Sequence, residues 1–157
     1  MKISEFISER EILIGMKSTE KEAALEELLI LLEKNGLLQN RKQVLETLIE
    51  REKLGSTGIG QGIAVPHAKI DQVKDLVCAL GISEKGVNFD ALDGEPVYII
   101  FLVLAPTGAT GIHLKALAKI ARLLKDKVFR NYLKMSKTPE EAYRIIKEDE
   151  ERLNSVG

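Results

Sequence analysis

The run Val97-Tyr-Ile-Ile-Phe-Leu-Val-Leu-Ala105 decides how this chain folds. It carries no charge and almost no alternation between apolar and polar residues. A half-exposed strand alternates, whereas a strand covered on both faces does not. Leu76-Val-Cys-Ala-Leu-Gly-Ile82 reads the same way. Two such strands require helices on both sides of one sheet, and helical stripes flank them in the sequence.

On the N-terminal side, apolar residues at 24, 25, 28, 29, 31 and 32 follow a helical period. Thr19, with Glu22 three residues on, reads as a capping box, and Gly36 as the C-terminal cap. Asn40 opens a second helix with Val44, Leu45, Leu48 and Ile49 on one side, ending near Leu54–Gly55. Residues 3–7 and 11–14 are a helical turn and a strand. Gly55 to Gly62 is a loop by composition, Ile63 to Val65 a strand, and Leu92 to Pro96 a turn. On the C-terminal side a helix runs from His113, with Leu114, Leu117, Ala118, Ala121 and Leu124 at helical spacing. Thr138-Pro139-Glu140-Glu141 starts a last helix, with Ala142, Ile145 and Ile146 on its apolar side. Its acidic stretch Glu148 to Glu151 is expected to fray. Helices on both sides of four or five strands make an α/β sandwich, here a single domain over residues 1–157.

Composition narrows the function. Net charge is −1 with both signs interspersed, so no basic patch argues for nucleic acid. The single cysteine, Cys78, excludes an internal disulfide and fits a reducing compartment. Cys78 lies in an apolar run and reads as a buried small hydrophobe. Glu5, Glu9 and Glu11 stand where a signal peptide would be apolar. The longest apolar run falls well short of the roughly 20 residues a membrane span needs. A cytoplasmic protein is expected.

Chemistry points to the two histidines, His67 and His113. His67 follows Gly62-Ile-Ala-Val-Pro66, and Pro66 holds Val65 extended and sets the exit direction. A neutral imidazole can take a phosphoryl group on one ring nitrogen while the other N–H is held by an acceptor. The bland alternative is a hydrogen-bonded histidine at a strand end. His113 falls in the first turn of its predicted helix, where spare N–H groups and the helix dipole attract anions and disfavour the imidazolium. Arg51 ends the second helix. Its neighbours three and four away are Thr47, Leu48, Leu54 and Gly55, so no in-helix ion pair occupies it, and a guanidinium fork matches phosphate oxygens. The glycine segment could cradle an anion, yet it matches neither the P-loop nor the dinucleotide pattern, so no nucleotide is predicted. Two histidines without nearby carboxylate or thiol spacing make a weak metal site.

Arg51-Glu52, Ser56-Thr-Gly-Ile-Gly60, Gly62-Ile-Ala-Val-Pro-His67 and His113-Leu114 together resemble the enzyme IIA family of the bacterial phosphoenolpyruvate-dependent phosphotransferase system. The type is that of the fructose, mannitol and nitrogen-regulatory proteins. The loop Leu54 to Gly60 is most similar to the nitrogen-regulatory branch. The resemblance spans roughly residues 1 to 150. It implies a central mixed β-sheet of about five strands with helices on both faces. It also implies that His67 accepts a phosphoryl group on Nε2 from phospho-HPr, with Arg51 and His113 lining the pocket. The group then passes to a cysteine of enzyme IIB, or its presence controls another protein. A free-standing fructose- or mannitol-type enzyme serving sugar uptake is the alternative. No metal or cofactor is required.

Overall fold

The computed structural model describes residues 1–156. Six strands form one mixed sheet, one more than expected. They are β1 (Ile12–Ile14), β2 (Gly58–Gly60), β3 (Ile63–Ala64), β4 (His67–Ile70), β5 (Val77–Val87) and β6 (Val97–Pro106). The helices are α1 (Lys21–Lys34), α2 (Arg41–Lys53), α3 (Thr110–Leu124), α4 (Lys127–Met135) and α5 (Pro139–Val156), and two 3-10 turns, Ile3–Glu5 and Glu9–Glu11, precede β1.

The two apolar runs are the centre of the sheet, as their composition requires. β5 and β6 pair antiparallel from Val77↔Leu104 to Val87↔Val97. β1 lies parallel outside β5, and β3 then β4 lie parallel along the other side of β6. Alternate residues of β6 feed two cores. Phe101 and Val103 pack with Ala116, Ile120, Phe129, Leu133 and Ile146 of α3, α4 and α5. Ile100, Leu102 and Leu104 pack with Leu25, Leu28, Leu32, Val44 and Leu48 of α1 and α2. Each fully buried side chain of this size contributes about 2 kcal/mol.

Several helix boundaries stand where the sequence puts them. Gly36, at φ +78°, follows α1 in a Schellman turn, with Gly36 N–H bonding Glu33 and Leu37 N–H bonding Leu32. Asn40 Oδ1 accepts from Gln43 N–H at the start of α2, and Thr138 Oγ1 from Glu141 N–H at the start of α5.

Other expectations are corrected. Thr19 and Glu22 form no capping box: Glu20 caps α1 without a side-chain bond. Glu20 bridges Asn88, and Thr19 C=O accepts from Asn88 N–H, which pulls this segment out extended. The reciprocal box lies instead at Ser8 and Glu11. The glycine segment is not all loop, since β2 pairs antiparallel with β3 across a bulge. His67 does not end a strand but begins β4, against Val103. α4 was not expected; it opens on Asp126, whose carboxylate accepts from Val128 N–H. The acidic stretch of α5 does not fray either. Glu150 is buried and accepts from the backbone N–H groups of Ile3 and Ser4 and from Ser4 Oγ at 3.0 Å.

Candidate functional site

β4 pairs only with β6 among the described residues, so His67 sits on an open sheet edge. The strand alternates: Ala68 and Ile70 turn into the α1/α2 core, while His67 is half-buried and Lys69 exposed. Pro66 begins the step from β3 to β4, and its carbonyl accepts from Val103 N–H at 3.0 Å. Just before it, the Val65 carbonyl lies 2.8 Å from His67 Nδ1. A carbonyl can only accept, so Nδ1 carries the proton and the lone pair is on Nε2.

α2 and α3 close on this edge from opposite sides of the sheet. An open pocket of about 410 Å³ results, lined by Thr47 and Arg51 of α2, His67 to Lys69 of β4, and Thr110, His113, Leu114 and Leu117 of α3. The three residues singled out from the sequence therefore share one pocket. Arg51 Nη1 donates to the Gly55 carbonyl at 2.8 Å, which anchors the side chain at the C-terminal end of its own helix.

His113 is buried, and its ring stands perpendicular to that of His67 with centroids 5.4 Å apart. Neither ring nitrogen has a hydrogen-bond partner among the described residues. A buried polar group left without a partner costs about 1–3 kcal/mol, so the pocket holds an unmet demand for one. Burial, then His67, then Lys69 push the pKa of His113 below 6.5, which keeps the ring neutral near neutral pH. His113 lies in the first turn of its helix as expected, but the helix starts three residues before it. α3 begins at Thr110, so His113 closes the first turn and its backbone N–H already bonds Ala109 C=O. The spare N–H groups belong to the three residues before it.

Lys69 was missed by the sequence reading. Its Nζ lies 3.3 Å from Thr110 Oγ1, which joins β4 to the start of α3 beside the two imidazoles. The signal was present: in a strand, the residue two after His67 shares its face. The glycine segment, by contrast, does not line the pocket. Gly60 and Gly62 take positive φ at the tight β2–β3 turn, where a Cβ on Gly62 would crowd the Tyr98 ring at 3.3 Å. Its role is to turn the chain rather than to cradle an anion. Cys78 is fully buried, and burial pushes its thiol up to about 12, far from a reactive thiolate.

An imidazole whose Nδ1 is held by a carbonyl, two cationic side chains and a second, buried imidazole make a pocket suited to an anionic group with oxygen acceptors. The family model for phosphoenolpyruvate-dependent sugar phosphotransferase system EIIA 2 matches residues 5–149. The nitrogen regulatory protein of Bradyrhizobium diazoefficiens is 38% identical over 147 residues, covering 93% of this chain and 95% of that protein. The fructose-specific EIIABC component of Bacillus subtilis is 39% identical over 133 residues; the match covers 85% of this chain but only 21% of that protein's length. Among solved structures, the nitrogen regulatory protein IIA-Ntr of Neisseria meningitidis superposes with a TM-score of 0.85. It is 39% identical and covers 92% of this chain and 98% of that one.

Proposed function

This chain belongs to the phosphoenolpyruvate-dependent sugar phosphotransferase system EIIA 2 family, and on that premise we propose that His67 is its phosphoryl acceptor. A domain of this family is a phosphocarrier, and residues 1–157 act as one such domain. The observation that carries the assignment is the 2.8 Å contact of His67 Nδ1 with the Val65 carbonyl, which reserves Nε2 for attack.

In the forward step Nε2 attacks phosphorus while the P–N bond to the donor histidine of phospho-HPr breaks in line. The electron pair of that bond returns to the donor imidazole. Such a transition state is loose, so positioning and charge stabilisation do most of the work. Arg51 offers a two-point fork to the phosphoryl oxygens, and Lys69 adds a second positive charge. His113, neutral and without a partner, donates an N–H to the same oxygens. The group then leaves to a cysteine of enzyme IIB, or stays as a signal of about −1.5 to −2 charges that a regulated protein reads. No cofactor takes part, and no nucleic acid or membrane insertion is needed. Among the described residues no helix is long and apolar enough to cross a membrane. We place the protein in the cytoplasm, where these partners work.

The nitrogen-regulatory reading is preferred because the Bradyrhizobium and Neisseria proteins, 38% and 39% identical and matched over nearly their whole length, carry that name. The sugar-uptake reading keeps support from the fructose-specific relative. Incubation with phosphoenolpyruvate, enzyme I and HPr is expected to label the protein, and His67→Ala to abolish the label. Undiminished labelling of that variant overturns the assignment.

A further inference from the structure

Glu52 follows Arg51 in the last turn of α2 and is 8% exposed. A buried carboxylate there is an odd choice, because the C-terminal end of a helix carries partial negative charge. Three donors offset the cost. Thr57 N–H donates to Oε1 at 3.1 Å, Thr57 Oγ1 to Oε2, and the Lys21 ammonium lies 3.1 Å from Oε1. Thr57, itself buried, extends the chain of contacts. Its carbonyl accepts from Val65 N–H at 3.0 Å. The other side of Val65 is the carbonyl that holds His67 Nδ1. One unbroken line of hydrogen bonds thus runs from Glu52 through Thr57 and Val65 to the imidazole. Glu52 directly follows Arg51 in the last turn of α2, so this line ties that turn to the segment leading into β4.

We propose that Glu52 is a positioning residue for His67. It acts through Thr57 and Val65 to fix the Val65 carbonyl, and through that carbonyl the tautomer and ring orientation of the nucleophile. This rests on the phosphoryl-acceptor reading only for its catalytic consequence; the tautomer itself is independent of it. An imidazole held by an oriented acceptor keeps one tautomer, and losing that acceptor misplaces the lone pair. Glutamine at this position accepts on one oxygen only, so the Thr57 hydroxyl must reverse and accept from the amide, and Lys21 is left without its buried counter-charge.

Imidazole nitrogen NMR shifts of isotope-labelled protein read the tautomer directly. In the wild type, the expected state is Nδ1–H with an unprotonated Nε2. Glu52→Gln is expected to give a mixture of both tautomers. The same variant should lower the phosphorylation rate constant by phospho-HPr about tenfold with little change in KM. Thr57→Val removes the hydroxyl and keeps the N–H, so a smaller shift in the same direction is expected, and Thr57→Ser should keep the wild-type tautomer. Should Glu52→Gln not fold, the Thr57 pair decides. A wild-type tautomer in folded Glu52→Gln, or in Thr57→Val, overturns the proposal. If the wild type fails to take label on His67 while the tautomers shift as stated, the acceptor reading falls and the positioning role of Glu52 stands.

Discussion

Glu52 and Glu150 are the two buried glutamates among the described residues, and they sit on helices packed on opposite faces of the sheet with the same chemistry. Each accepts from a backbone N–H and a hydroxyl through both its oxygens, and each has a lysine nearby: Lys21 at 3.1 Å from Glu52, Lys119 at 4.0 Å from Glu150. What differs is the span of chain each closes. Glu52 reaches five residues ahead, into the segment that supports His67. Glu150 reaches back 147 residues and seats the N-terminal turn on α5, where Tyr143 Oη also donates to the Ser4 carbonyl. Identical side chains with similar partners are therefore expected to do separable work: one sets site geometry, the other closes the fold. Burial and hydrogen bonding alone do not tell the two apart; the element each carboxylate anchors does.

The contrast can be broken at either end. Glu150→Ala leaves three N-terminal donors without their acceptor and is expected to cost about 3 kcal/mol, read as a lowered denaturation midpoint. Its phosphorylation rate below the transition should match the wild type. A variant that keeps its stability, or loses transfer in step with it, would erase the distinction. Arg51→Ala is the mirror test. Removing a charge donor aimed at a transferring group is expected to slow phosphorylation by about a hundredfold, while the melting temperature moves little. A sharp fall in melting temperature with transfer intact would instead make Arg51 a helix-end clamp, through its bond to Gly55. The smallest effect belongs to His113. Its pKa is held below 6.5 in the folded state, so the unfolded chain binds the proton more readily. The stability due to the neutral ring is complete above the unfolded pKa of about 6.5 and is lost as pH falls toward the lower folded value. His113→Asn is expected to flatten the acid side of a plot of melting temperature against pH over that window. Equal slopes in both proteins would mean that burial does not set the proton on this ring.

The features legible in the sequence are those written in neighbouring residues. Asn40, Gly36 and Thr138-Pro139 mark helix ends because a cap bonds within a few residues of itself. The long runs at β5 and β6 announce burial because they need no partner to be read. β1 and β3 are short yet legible, whereas β4 and α4 were hidden. β4 is four residues after a proline, too few for a period, and its identity comes from Val103 to Pro106, far along the chain. α4 is nine residues with one cap. Thr19 and Glu22 mimic a capping box, and only the cross-chain bond to Asn88 overrules it. The same rule governs the site. His67, His113 and Arg51 could be named as candidates from residue type and local position. Lys69 required knowing that β4 is a strand. The partnership of Glu150 with Ile3 could not be seen, because nothing near either residue mentions the other.

The open side of β4 has a consequence for how the protein keeps to itself. An unpaired strand is a template on which another chain can lay its own backbone, and sheet edges are common starting points for aggregation. The proposed role of His67 needs that openness if other proteins are to reach it. The answer lies in the strand's dimensions: it is four residues long, begins directly after a proline that has no N–H to offer, and carries an exposed lysine at its third position. A visiting strand would find few bonds and a charge to desolvate. Access for a docking partner and resistance to self-association are met by the same four residues.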